Sequence, residues 1–238
     1  MRRCTPAQWA MPLLSSPCGV RRRCCLIAGP AWLALPLHTW AAADALVAAA
    51  EAGDVAALRR LLDAGAPVDA VGSRGRSALL AATHANRVET ARLLIARGAN
   101  VNLKDELQDS AFLYAGAEGR LEILRLTLAA GADLKSTNRY GGTALIPAAH
   151  HGHVDVVREL LKTKIDVDHV NRLGWTALLE AVILGDGGAA HTEIVRLLVA
   201  AGAQVNLADA QGVTPLAHAE QRGQAAVAGL LRRAGARR

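Results

Sequence analysis

The chain has 238 residues and a formal charge of +6, a balance that on its face suits a nucleic-acid-binding protein. The excess is local: Arg2, Arg3, Arg21, Arg22 and Arg23 precede residue 44 with no acidic residue among them, which leaves the remainder near +1. Most of the case for binding phosphate backbones disappears with that cut. Cys4, Cys18, Cys24 and Cys25 share the same segment, so disulfides, zinc–cysteine sites and cysteine catalysis are excluded from the body.

Residues 1–43 read as a leader, with its core at 20–43. Arg21, Arg22 and Arg23 form a positive region, residues 26–37 are mostly apolar, and Ala41-Ala42-Ala43 offers a small-residue cleavage site before Asp44. The apolar stretch is short and interrupted by Pro30 and Pro36, which speaks against a membrane span. The leader style predicts a bacterial protein exported to the periplasm or beyond, by either the general secretory or the twin-arginine route. Residues 1–19 fit no part of a signal and read either as a long first region or as sequence upstream of a start near Val20.

From residue 44 onward the chain repeats itself. Short leucine-rich blocks end at Gly65, Gly98, Gly131, Lys164, Gly202 and Gly235, in steps of 33, 33, 33, 38 and 33 residues. A second series, Gly75, Gln108, Gly141, Gly174 and Gly212, keeps the same beat. Such a period marks stacked units, each too small to bury its own apolar face. The predicted units are 44–71, 72–104, 105–137, 138–170, 171–208 and 209–238. The last four open on turns led by Asp105, Asn138, Asn171 and Asp209. Ser77, Ser110, Thr143, Thr176 and Thr214 then stand where a hydroxyl caps a first helix, and Pro215 occupies its first position. A break follows at Asn86, Gly119, Gly152 or Gly223, suited to a positive φ. The second helix is amphipathic, as in Val154, Val157, Leu160 and Leu161 against Asp155, Arg158 and Lys162. The first unit begins directly at its helix, and Arg232 and Arg233 give the last a polar finish, as terminal units require.

These residues carry a family resemblance. The Thr-Ala/Pro-Leu starts, Gly152-His153-Val154-Asp155-Val156-Val157 and Gly98-Ala99-Asn100-Val101-Asn102 resemble ankyrin repeats across about residues 44–235. The resemblance implies an all-α ankyrin-repeat solenoid of about six stacked helix-turn-helix units with projecting β-turn or hairpin loops. The sequence departs from the family at two places. Leu80, Leu113, Ile146, Leu179 and Ala217 stand where the family usually has histidine, and the fifth unit carries about five extra residues within 185–190, predicting a protruding loop.

Chemical constellations are sparse. No nucleophile elbow, phosphate-cradling Gly-Lys-Ser/Thr loop or His-Glu-x-x-His occurs. His150, His151 and His153 cluster without a carboxylate at helical ligand spacing, and Glu180 and His218 occupy equivalent places in adjacent units, where they are open to pairing. The expectation is a non-enzymatic protein with no cofactor and no metal.

The resemblance instead implies a recognition face made of turn tips and the exposed ends of first helices, on the concave side. Mapped onto this sequence, it includes Arg74, Arg76, Arg139, Tyr140, His150, His151, Arg172, Leu173 and Trp175. Ser73, His84, Glu106, Leu107, Asp109, Glu118, Ile183, Leu184, Gln211, Val213 and Arg222 complete the surface. Tyr140 and Trp175 sit beside arginines on central turns, the residue types that dominate binding energy; packing that stiffens the stack is the other reading of both. The expected role is a monomeric protein-binding module of the periplasm, with a protein partner, no nucleic acid and no membrane span after signal cleavage. The alternatives are an accessory factor protecting a co-exported enzyme, and a small histidine-dependent metalloenzyme.

Overall fold

The computed structural model describes residues 38–238 except Arg74. Residues 1–19, the arginines at 21–23 and the apolar stretch 26–37 lie outside the described residues, as does Arg74.

Twelve helices occur among the described residues, in six pairs. They are α1 (His38–Ala52) with α2 (Val55–Asp63), α3 (Ala78–His84) with α4 (Val88–Ala96), and α5 (Ala111–Ala117) with α6 (Leu121–Ala129). The series continues with α7 (Leu145–His150) and α8 (Val154–Leu160), α9 (Ala177–Ile183) and α10 (Ala189–Ala200), and α11 (Pro215–Gln221) and α12 (Ala225–Arg233). Odd-numbered helices pack on odd and even on even, unit upon unit, while each pair also packs internally. The α1 helix contains Ala41, Ala42 and the buried Ala43, so a cut before Asp44 would leave Asp44 to Ala52 as its remainder.

Local chemistry sets each unit. The hydroxyls of Ser77, Ser110, Thr176 and Thr214 accept from the backbone N–H of Leu80, Leu113, Leu179 and Ala217, 3.2–3.3 Å away. Thr143 does not cap: its hydroxyl is buried without a partner, and α7 starts at Leu145. Elsewhere the first helical bond runs from the fourth residue to the capping residue, as in Tyr114 N–H to Ser110 C=O. At Thr143 that donor would be Pro147, which has none. The breaks Asn86, Gly119, Gly152 and Gly223 all have positive φ. Gly116 serves packing instead, since a Cβ there would stand 2.9 Å from that of Ala144 on the next unit.

The core is one continuous apolar layer along the stack, with Leu46, Leu79, Phe112, Leu145 and Leu178 buried unit after unit. Its back edge is clasped by side chains. Asp69, Asn102, Asp168 and Asn206 each accept, at 2.7–2.8 Å, from a backbone N–H of the following unit: Asn100, Asp133, Gln204 and Arg237. Lys135 holds the corresponding place between the third and fourth units and offers no acceptor.

The extra residues of the fifth unit make a pinned corner instead of a free loop. Part of the added length extends α10 to twelve residues. The Gln224 amide donates to the carbonyls of Val182 and Gly185 at 3.0 and 3.1 Å. His191 contacts the Asp186 carboxylate through Nδ1 at 2.8 Å and the His150 carbonyl through Nε2 at 2.9 Å. The last carbonyls of α9 lack helical partners, and those of Val182 and Gly185 belong to buried residues, so they call for such partners, which is why the insertion folds down.

Candidate functional site

The turns that precede the first helices are built alike. The side chains of Asp105, Asn138, Asn171 and Asp209 accept from the N–H groups two and four residues on, at 2.8–3.0 Å. Gln108, Gly141, Gly174 and Gly212 take the left-handed conformation that closes each turn. Equivalent positions therefore point alike, and the tips place Leu107, Tyr140 and Leu173 in series. They are 51%, 53% and 51% exposed.

Between these tips and the ends of α3, α5, α7 and α9 runs a trough of about 550 Å³. Its lining includes Leu107, Asp109, Tyr114, Glu118, Arg139, Tyr140, Pro147, His150, His151, Leu173, Glu180 and Leu184, with His84 at one end. His84 stacks on Tyr114 with ring centroids 3.6 Å apart, and the Arg139 guanidinium lies 4.9 Å from the Tyr140 centroid. His150 and His151 have centroids 4.6 Å apart, and His151 Nδ1 lies 2.7 Å from the Ala117 carbonyl oxygen.

Thus Arg139, Tyr140, His150, His151 and Leu173, all named from sequence, meet on one surface. His84, Leu107, Asp109, Glu118 and Leu184, also expected as contact residues, line the same trough, whereas Arg172, Trp175 and Arg76 do not. Arg172 stitches turn to turn, its N–H donating to the Tyr140 carbonyl at 2.9 Å and its Nη1 to the Arg139 carbonyl at 2.8 Å. Trp175 is half-buried and outside the trough lining. Arg76 lines a separate small recess with Asp44, Val47 and Ser73. Tyr114, Pro147 and Glu180 are trough residues the recognition map omitted. Each lies nine residues after a turn leader, a register shared by Asn171–Glu180 and Asp209–His218.

That register also corrects the expected pairing of Glu180 with His218. Glu180 Oε1 accepts from Asn171 at 3.0 Å, and His218 meets the Asp209 carboxylate at 2.7 Å, each within its own unit. Burial raises the Glu180 carboxyl above its ordinary range, against the lowering effect of Asn171. Burial, then His151 and His191, lower His150. His153 is lowered by burial and then by His151. No group of three or more metal-ligating side chains is placed to hold an ion among the described residues.

The architecture is a repeat solenoid presenting a preformed trough, a class built for contact along an extended surface. The ankyrin-repeat description (3 copies) matches residues 33–105 and 112–209, and the chain belongs to the ankyrin-repeat family. It is 54% identical to an ankyrin repeat domain of Acinetobacter baumannii AYE, with a TM-score of 0.79, covering 81% of this chain and 98% of that one. A second solved ankyrin-repeat protein is 42% identical, with a TM-score of 0.77, over 80% of this chain and 97% of the other. Among curated proteins, none matches. Ankyrin repeats generally mediate protein–protein interaction, and the family is typically non-enzymatic. No described helix is long and apolar enough to cross a membrane.

Proposed function

We propose that this chain is a non-enzymatic binding module that docks a protein partner along the trough, working in the bacterial periplasm after export. The observation that carries docking is the row Leu107, Tyr140 and Leu173, half-exposed at three successive tips. The exposed half of each side chain stabilises nothing inside the molecule. Covering them is favourable by about 25 cal/mol per Å². The turn bonds already hold the row in place, so a partner meets a surface with little left to order. Incorporating a photo-crosslinking phenylalanine analogue at Tyr140, with Arg196 on the outer face as control, tests the reading. A discrete adduct from Tyr140 alone is expected; equal adducts from both positions would place the contact elsewhere.

Export is supported by the order of basic run, apolar stretch and Ala41-Ala42-Ala43 in the sequence. N-terminal sequencing of the protein released by osmotic shock is expected to begin at Asp44. An unprocessed chain retained in the cytoplasm would overturn the periplasmic assignment.

A further inference from the structure

The trough is apolar at its tips and acidic within. Asp109, Glu118 and Glu180 all line it, and Arg139 is its single lysine or arginine. That guanidinium is engaged over Tyr140. The outer helices are different: Glu122 pairs with Arg125, Asp155 with Arg158, Glu159 with Arg125 and Lys162, and Glu193 with Arg158 and Arg196. Asp109 and Glu118 have no ion-pair partner among the described residues. Asp109 is half-buried and Glu118 exposed. Unpaired carboxylates on this surface repel anions, which disfavours nucleic acid and anionic lipid as occupants. They attract a cation, most strongly at Asp109, where solvent is thinner.

We propose that the trough takes a segment of a partner protein bearing an arginine or lysine between apolar side chains. The cation meets Asp109 and Glu118, and its apolar neighbours cover Leu107, Tyr140 and Leu173. One face of Tyr114 carries His84 and one face of Tyr140 carries Arg139; the planar fork of a guanidinium, which meets carboxylates through paired N–H groups, favours arginine over lysine here. Burial and the nearby Asp105 hold the Asp109 carboxyl above its ordinary range; an arriving cation relieves that repulsion. The charge complementarity rests on the docking face described above and adds the chemistry of what docks.

A randomised peptide library displayed on phage and selected on the full chain reads this directly. Enriched peptides should carry arginine or lysine flanked by apolar residues. The double variant Asp109→Asn with Glu118→Gln should weaken them about tenfold or more, whereas Glu122→Gln on the outer face should leave them unchanged. Asp109→Lys should turn the selection toward acidic peptides, and thermal unfolding shows that each variant is folded. Enriched peptides without basic residues, or an empty selection, overturn the proposal. Peptides indifferent to the double variant but lost on Tyr140→Ala keep the docking face and overturn its charge assignment. Peptides indifferent to all of these substitutions remove both.

Discussion

Thr143 and Ser110 occupy the same place in neighbouring units and do different things. The Ser110 hydroxyl caps α5 through Leu113; the Thr143 hydroxyl is buried and bonds nothing. Urea unfolding should therefore separate them. Ser110→Ala should cost about 1 kcal/mol, and Thr143→Val should be neutral or stabilising, because it replaces an unsatisfied hydroxyl by a methyl group. A loss at Thr143 as large as that at Ser110 would contradict the account of Pro147. His84 makes a second prediction at this scale. Burial, then Arg76, hold its pKa below the ordinary 6.5, so the folded chain prefers the neutral ring. The unfolded chain takes up its proton first as the solution is acidified. The stability associated with the site is intact above about pH 6.5 and falls as the pH drops through that value, levelling only below the folded pKa. Phenylalanine at this position keeps a ring against Tyr114 and removes the proton. Its urea midpoint should drop less than the wild type's between about pH 7.5 and pH 5.5, and parallel drops would show that the His84 proton is not linked to folding.

At the scale of helices and turns, most of the architecture was legible in the chain itself, because its determinants are local. Ser77, Ser110, Thr176 and Thr214 cap where a hydroxyl precedes an apolar run, and Asn86, Gly119, Gly152 and Gly223 break where φ must be positive. The reading failed where one unit reaches another. Nothing near residue 185 announces that Gln224, in the next unit, will hold that corner down, so its extra length read as a protruding loop. The inward aim of Tyr114 and Glu180 was also missed, although the nine-residue spacing from a turn leader was available as a signal. Trp175 stands out by its residue type beside an arginine on a central turn, which does not fix where its side chain points. Gln224→Ala should cost about 1–3 kcal/mol, since it strands the carbonyls of Val182 and Gly185. Amide exchange should quicken first at the start of α10. Loss confined to α12 would mean that Gln224 serves only its own helix.

For the whole molecule, stability in a stacked array is the sum of unit and joint contributions, so joints can be compared one by one. Every joint from the first unit to the last has the Asx clasp except the one at Lys135. Lys135→Asn supplies the missing acceptor opposite the Asp166 N–H and should stabilise the chain by about 0.5–1.5 kcal/mol. The same change at the exposed, unrelated Lys162 should do no more than a surface substitution usually does.

The unclasped joint lies between the units that carry Leu107 and Tyr140, so it falls under the trough. The continuous core, the Arg125–Glu159 pair and the His151 contact with Ala117 still cross this joint, so it is the loosest seam of one body. Amide exchange should quicken at that seam before it does at the clasped joints. A partner stretched from Leu107 to Leu173 lies across the seam and acts as an outside strap where the stack has the fewest of its own.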